Sequence, residues 1–261
     1  MIRLFRRLRQ RLLFNKKFSK YFLYAVGEIL ILIFGILIAL QVNNWNEERK
    51  RGDLELVILR AIKSDLDNDL VNCQFDLKIH YGQVNSSNII LHHLLNDLPS
   101  NDSLNRHFLW ICDYTITTYN TAAYETLKSL GVGLVSNDSL RNELIYMYDT
   151  HQYFLTEIRK QLPELISTAH KTLFPTRFME GNNYDLKLGE KLEDLGGTEG
   201  EIPGMAPLDY EGLKRDTEYL YFLKTQRNNN ELYIDCLEDF QTKLKDLISK
   251  VEDEISRLEI Q

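Results

Sequence analysis

Two rhythms of apolar residues organise this chain. From Tyr21 to Leu40 (YFLYAVGEILILIFGILIAL) the apolar run is nearly unbroken, with Glu28 its one ionisable residue, whereas after Glu47 apolar positions recur at alternating three- and four-residue steps. The first pattern predicts a membrane-spanning helix, because a 20-residue run, rising about 1.5 Å per residue, matches a hydrocarbon core of roughly 30 Å. The second predicts amphipathic helices that share a core. Together they give a mainly α fold: a transmembrane helix followed by an elongated antiparallel helical bundle with coiled-coil-like helices.

In the bundle, Leu70, Leu77, Val84, Leu91 and Leu98 recur every seven residues, Cys73 and Leu94 occupy matching d positions, and Pro99 ends the seam. His80 and Ser87 fall at the remaining d positions. They predict either a satisfied polar layer that fixes register or, with Trp110, a ligand-sensing pocket. SNDSL occurs twice, at 100–104 and 136–140, and predicts two helix N-caps. A helix from Ala122 to Leu130 should stop at Gly131. The next carries Leu144, Tyr148, Leu155, Ile158, Leu162, Leu165 and Ala169 on one face, with a kink at Pro163. Residues 175–207 hold six of the 13 Gly and three of the five Pro, with seven acids against three bases, and read as an acidic spacer or a functional loop. The closing helix, from about Tyr210, returns to heptads with Leu237, Leu244, Val251 and Leu258 at a and Phe240 and Leu247 at d. Asn228 to Asn230 are candidates to interrupt it.

Charge sets the orientation. Eight Lys/Arg and no acid precede the span, so the positive-inside bias predicts a cytoplasmic N-terminus. The domain limits that follow are a basic cytoplasmic segment 1–20, a transmembrane helix 21–42 and an extracytoplasmic helical domain 43–261. The apolar core exceeds that of a cleaved signal peptide and leads into Gln41-Val42-Asn43-Asn44-Trp45 rather than a small-residue cleavage site, which predicts an uncleaved signal anchor. Tyr21, Tyr24 and Trp45 suit interfacial aromatic belts. Ile2, Leu4, Phe5, Leu8, Leu12 and Leu13 interleave with the basic residues, giving either a surface helix on the anionic leaflet or a topogenic cluster. Glu28 is costly inside lipid and predicts an inter-helix contact or a pairing with Lys16, Lys17 and Lys20. Gly35 and Ala39 form a small-xxx-small pair that lets two spans approach.

The chain carries −7 overall and its first 20 residues +8, which leaves −15 on residues 21–261 and argues against nucleic-acid binding there. Three cysteines, at 73, 112 and 236, are too few for a disulfide framework; they allow one bridge in an oxidising compartment, but their helical apolar surroundings favour separate buried thiols. Neither HExxH nor Glu-x-x-His occurs, so metal catalysis has no local support. His92 and His93 point about 100° apart on a helix, and Asp76 with His80, one turn apart, reads as a solvated or structural pair. Gly131-Val132-Gly133 lacks the third glycine of a dinucleotide fingerprint. No catalytic, cofactor or metal site is predicted.

The block FSKYFLYAVGEILILIFGILIALQVNNWNEERK (18–50), KSDLDNDL (63–70) and AYETLKSLGVGLVSNDSLRNELIYMYD (123–149) resembles an uncharacterised family of bacterial single-span membrane proteins. The resemblance implies a Gram-negative inner membrane with the helical domain in the periplasm, and implies no activity. The expected role is a non-enzymatic scaffold or accessory of an envelope complex, with the lipid bilayer and a protein partner or second copy contacted through the anchor and heptad helices. The alternatives are a periplasmic ligand sensor signalling through a partner and, less favoured, an envelope hydrolase.

Overall fold

The computed structural model describes residues 16–112, 118–179 and 204–260, with side chains at Phe22 and from Ala25 onward. The basic segment up to Asn15, the Tyr21 and Tyr24 side chains, and residues 180–203 of the acidic stretch lie outside the described residues. The described chain is mainly helical and contains no strand; its one extended pairing is an isolated antiparallel bridge between Phe178 and Pro207. Its helices are α1 (Lys16–Leu95), α2 (Ser103–Trp110), α3 (Ala122–Leu130), α4 (Asp138–Tyr146), α5 (Gln152–Arg159), α6 (Gln161–Thr172), α7 (Phe174–Arg177), α8 (Tyr210–Leu213) and α9 (Thr217–Glu259). A 3-10 turn (Val132–Leu134) follows α3, and a π-helical turn (Met147–His151) joins α4 to α5.

Two compact units divide the chain, residues 1–56 and 57–261. In the first, every large apolar side chain from Ile29 to Leu40 is between 47% and 73% exposed. Among the described residues, α1 is the one helix long and apolar enough to cross a membrane, a test that an N-terminal signal sequence also meets.

In the second unit, the innermost row of α1 is Leu59, Ile62, Leu66, Asp69, Cys73, Asp76, His80, Gln83, Ser87, Ile90 and Leu94, all at most 3% exposed and spaced strictly three and four apart. The predicted seam is therefore displaced by one residue on one side: Cys73, His80, Ser87 and Leu94 lie in the innermost row, but Asp69, Asp76, Gln83 and Ile90 replace Leu70, Leu77, Val84 and Leu91 as its alternating members. Leu77 and Leu91 are buried beside this row, while Leu70 and Val84 are half-buried. Polar residues hold the deepest positions, so hydrophobicity alone selects the neighbouring row.

On α9 the innermost row is Tyr219, Leu223, Gln226, Asn230, Tyr233, Leu237, Phe240, Leu244, Leu247, Val251 and Glu254, with the same alternation. Here the heptad reading coincides with the buried row from Leu237 to Val251, and Leu258 is half-buried. The three asparagines do not interrupt α9: Asn230 is fully buried within it. Contacts between the two long helices pair Arg60 with Glu259, Lys63 with Glu252, Tyr81 with Glu238 and His80 with Asn230.

The capping motif works once. Asn137 Oδ1 accepts from the backbone N–H groups of Ser139 (3.1 Å) and Leu140 (3.2 Å), so the second SNDSL starts α4. In the first, the Ser103 hydroxyl donates to Asn101, and Asp102 precedes α2 without a side-chain cap. α3 ends at Gly131, whose φ of 97° is left-handed. The helix expected through Pro163 breaks at Lys160, because the proline ring clashes with the carbonyl four residues earlier, that of Arg159.

Apolar packing forms two clusters. One joins Ile58 to Leu77 of α1 with α3 to α6 and Tyr233 to Val251 of α9; the other joins Ile90 to Leu94 with α2, α6, α7 and Tyr219 to Leu223. Between them, His80, Gln83 and Ser87 of α1 face the level of Gln226 and Asn230 of α9, a polar layer across the core.

Candidate functional site

Two buried polar centres distinguish the larger unit. The first is built on Asp69, which is fully buried on α1. Asp69 Oδ1 accepts from the backbone N–H and the side-chain amide of Asn120, both at 2.8 Å, and Oδ2 accepts from Gln152 Nε2 at 3.1 Å. One turn earlier, Asp65 Oδ2 accepts from the Ala123 N–H at 3.1 Å and so holds the start of α3. The KSDLDNDL segment thus anchors the Asn120–Ala123 entry to α3 through two carboxylates four residues apart.

Burial pushes the Asp69 carboxyl up to about 6, with nearby Asp65 adding to the rise, while the Asn120 and Gln152 donors oppose it. The π-helical turn explains how Gln152 reaches it. The extra residue in this turn lets Met147, Tyr148, His151 and Gln152 all point inward. Gln152 meets α1, while His151 Nε2 lies 2.9 Å from Asp239 Oδ2 on α9 and its ring stacks on Phe240 at 5.4 Å. Burial lowers the His151 pKa against the pull of Asp239, and Lys243 lowers it further. Beside them Tyr124 stacks on Tyr148 at 4.4 Å, and the Tyr124 hydroxyl donates to Asp149 at 2.9 Å.

The second centre is the polar layer. His80 Nδ1 lies 2.6 Å from Asn230 Oδ1, and Asn230 Nδ2 donates to the Gln226 carbonyl at 2.8 Å. That second bond orients the amide with its oxygen toward His80, so the neutral imidazole carries its proton on Nδ1. Burial lowers the His80 pKa, while the Asn230 bond and Asp76, one turn away, oppose the shift. The last carbonyls of α2 find donors on two other helices: Gln83 Nε2 donates to the Trp110 carbonyl (3.4 Å), and Gln226 Nε2 to that of Ile111 (3.3 Å). Ser87 Oγ and Gln226 Oε1 are buried without a hydrogen-bond partner among the described residues.

Of the residues singled out from sequence, His80 and Ser87 both point into this layer, two turns apart. Trp110 joins it through its backbone carbonyl; its half-buried indole lies against Gly82, where a Cβ would meet Nε1 at 3.0 Å. No hydrogen bond joins His80, Ser87 and Trp110 to one another among the described residues. Glu28, Gly35 and Ala39 are all exposed on α1, and a Cβ at Gly35 would meet nothing within 4 Å. Asp65, Asp69, Asn120, Gln152 and Gln226 are not among the candidates selected from sequence, and Asn230 stands there only as a possible helix interruption. The four-residue spacing of Asp65 and Asp69 within KSDLDNDL was the available signal for two of them.

Among the described residues no group of three or more His, Cys, Asp or Glu side chains is placed to hold a metal ion. Among the described residues no disulfide joins Cys73, Cys112 and Cys236. A family model described as "Family of unknown function (DUF6090)" matches residues 28–191. No curated protein and no solved structure matches the chain.

Proposed function

Because the chain belongs to DUF6090, a family of unknown function whose model spans residues 28–191 and with them most of the anchor and the α1 residues of both polar centres, we propose that it is a single-pass, membrane-anchored scaffold or accessory protein acting through protein contacts. The reading places the N-terminus in the cytoplasm and residues 43–261 in the periplasm as an antiparallel helical bundle on an inner-membrane anchor. The supporting observation is the exposed apolar surface of α1 from Ile29 to Leu40. Burying a large apolar side chain contributes roughly 1.5–3 kcal/mol, so ten in succession favour a nonaqueous surrounding strongly. The pairs 60 with 259 and 63 with 252 fit an antiparallel closing helix.

The test is a pair of C-terminal fusions to the full chain, one reporter active only in the periplasm and one only in the cytoplasm, followed by affinity purification in mild detergent. Periplasmic activity and specific co-purifying envelope proteins are expected. Cytoplasmic activity overturns the topology, and a chain that leaves no protein partner enriched overturns the scaffold role.

A second reading, a ligand sensor, draws on the unpartnered Ser87 and Gln226 oxygens within the polar layer. Thermal-shift screening of the detergent-solubilised chain against small polar compounds tests it. Saturable stabilisation that Ser87→Ala removes is the result expected of a sensor, and its absence counts against one.

A further inference from the structure

Opposite its buried row, α1 carries a second row with the same alternation. Val57, Ala61, Ser64, Asn68, Val71 and Phe75 are all exposed, with Val57 at 58%, Val71 at 64% and Phe75 at 37%. None is charged, although Arg60, Lys63, Asp65, Asp67 and Asp69 lie in the same stretch. A solvated helix face normally collects such charges; a three-four row without them has the form of a contact seam.

We propose that this face of α1 is a self-association surface, and that its occupant is the same face of a second copy of this chain packed in parallel. The proposal rests on the membrane-anchored reading above, since two copies held in one bilayer are parallel by topology and meet at high effective concentration. Val57, Ser64 and Val71 take the d positions, and Ala61, Asn68 and Phe75 the a positions.

Charge complementarity selects the parallel, in-register pairing. It sets Arg60 opposite Asp65 of the second copy and Asp67 opposite its Asn72, and brings no like charges together across the seam. Arg60 is half exposed and pairs with its own Glu259 through one nitrogen, Nη2, so further guanidinium donors remain available. Asn68 is a single polar a residue within the row. Facing its copy, each amide offers a donor and an acceptor to the other, a device that fixes register and favours two strands. The small side chains of Ala61 and Ser64 let the two backbones come close.

The experiment uses the full-length protein in lipid nanodiscs. Ser64→Cys places a thiol in the seam, and Lys245→Cys, exposed on α9, is the control. Oxidation should give a covalent dimer for Ser64→Cys and not for Lys245→Cys or the parent. Adding Val71→Glu should lower the Ser64→Cys dimer yield by at least about tenfold, because facing carboxylates oppose association. The helical circular-dichroism signal should stay unchanged, since Val71 is exposed in the single chain. Equal cross-linking of the control, or a yield insensitive to Val71→Glu, overturns the proposal. So does a dimer captured by Gly35→Cys that persists unchanged with Val71→Glu, which assigns association to the anchor alone. Failure of the membrane reading is distinguishable, because alkaline carbonate would then release the chain from membranes.

Discussion

His80 Nδ1 sits 2.6 Å from Asn230 Oδ1, joining α1 to α9 at a point where both side chains are excluded from solvent. A neutral buried hydrogen bond contributes modestly, but removing one partner leaves the other unsatisfied, which costs about 1–3 kcal/mol. His80→Leu and Asn230→Leu should each lower the unfolding free energy by that amount. The double variant should lose less than the sum of the two. Urea titration of all four proteins measures the coupling; strict additivity would show that the two side chains do not act as a pair.

Asp69 predicts a pH response of unusual sign. Its folded pKa of about 6 lies above the ordinary aspartate value of 3.8, so its contribution to stability is complete below the lower value and is lost as pH rises through about 6. His80 acts oppositely: its folded pKa is lowered, so its contribution is present above the ordinary histidine value of 6.5 and is lost as pH falls below it. Asp69→Asn removes the first effect alone. Stability of this variant relative to the parent should improve as pH rises from 4 to 7. A pH-independent difference would mean that the carboxyl titrates normally.

The α9 helix was legible because its innermost row from Tyr233 to Val251 is entirely apolar, so hydrophobicity and burial report the same register. α1 was read one residue off on alternate positions because Asp69, Asp76 and Gln83 occupy the deepest places, and their burial depends on donors and neighbours contributed by distant parts of the chain. Asn120, Gln152 and Trp110 lie 51, 83 and 27 residues from their α1 partners, at separations no local pattern reports. The π-helical turn escaped for a related reason. Its extra residue resets the periodicity between Leu144 and Leu155, so His151 and Gln152 turn inward where a regular helix would alternate them.

The displaced register is measurable. Leu66→Ala, at a fully buried position, should cost about 2–5 kcal/mol, and Leu70→Ala, half-buried, clearly less. Phe240→Ala should fall at about 3–5 kcal/mol, since its ring contacts both Tyr119 at 4.9 Å and His151 at 5.4 Å. Chemical denaturation of the three variants ranks them; equal losses at Leu66 and Leu70 would contradict the observed row.

Thiol chemistry follows from burial. Cys73 is fully buried, donates to the Leu237 carbonyl at 3.4 Å, and its thiol is pushed up to about 12 by burial, with Asp76 adding to the shift. The thiolate is the reactive form, so Cys73 should resist maleimide in the native protein and react only with unfolding. Cys236 is half-buried and should react first, although burial and the neighbouring Asp235 and Asp239 carboxylates raise its pKa too. Mass spectrometry of timed labelling gives the order; early modification of Cys73 would mean that α1 and α9 separate readily.

Two glycines should answer the same substitution differently. Gly131 has φ 97°, where a side chain is strained whatever the space around it, so Gly131→Ala should cost about 1 kcal/mol or more. Gly82 lies inside α1, where alanine is intrinsically favoured by roughly 1 kcal/mol, but its Cβ would meet Trp110 Nε1 at 3.0 Å. The Trp110 ring is half-buried and able to tilt away, so the propensity gain and the contact cost should nearly cancel. Gly82→Ala is therefore expected to leave stability within about 0.5 kcal/mol, the range of ordinary surface changes, while shifting Trp110 fluorescence. The second tryptophan, Trp45, lies in the other unit and gives a constant background. A large stability loss without a spectral change would place the strain in α1 itself rather than at the indole contact.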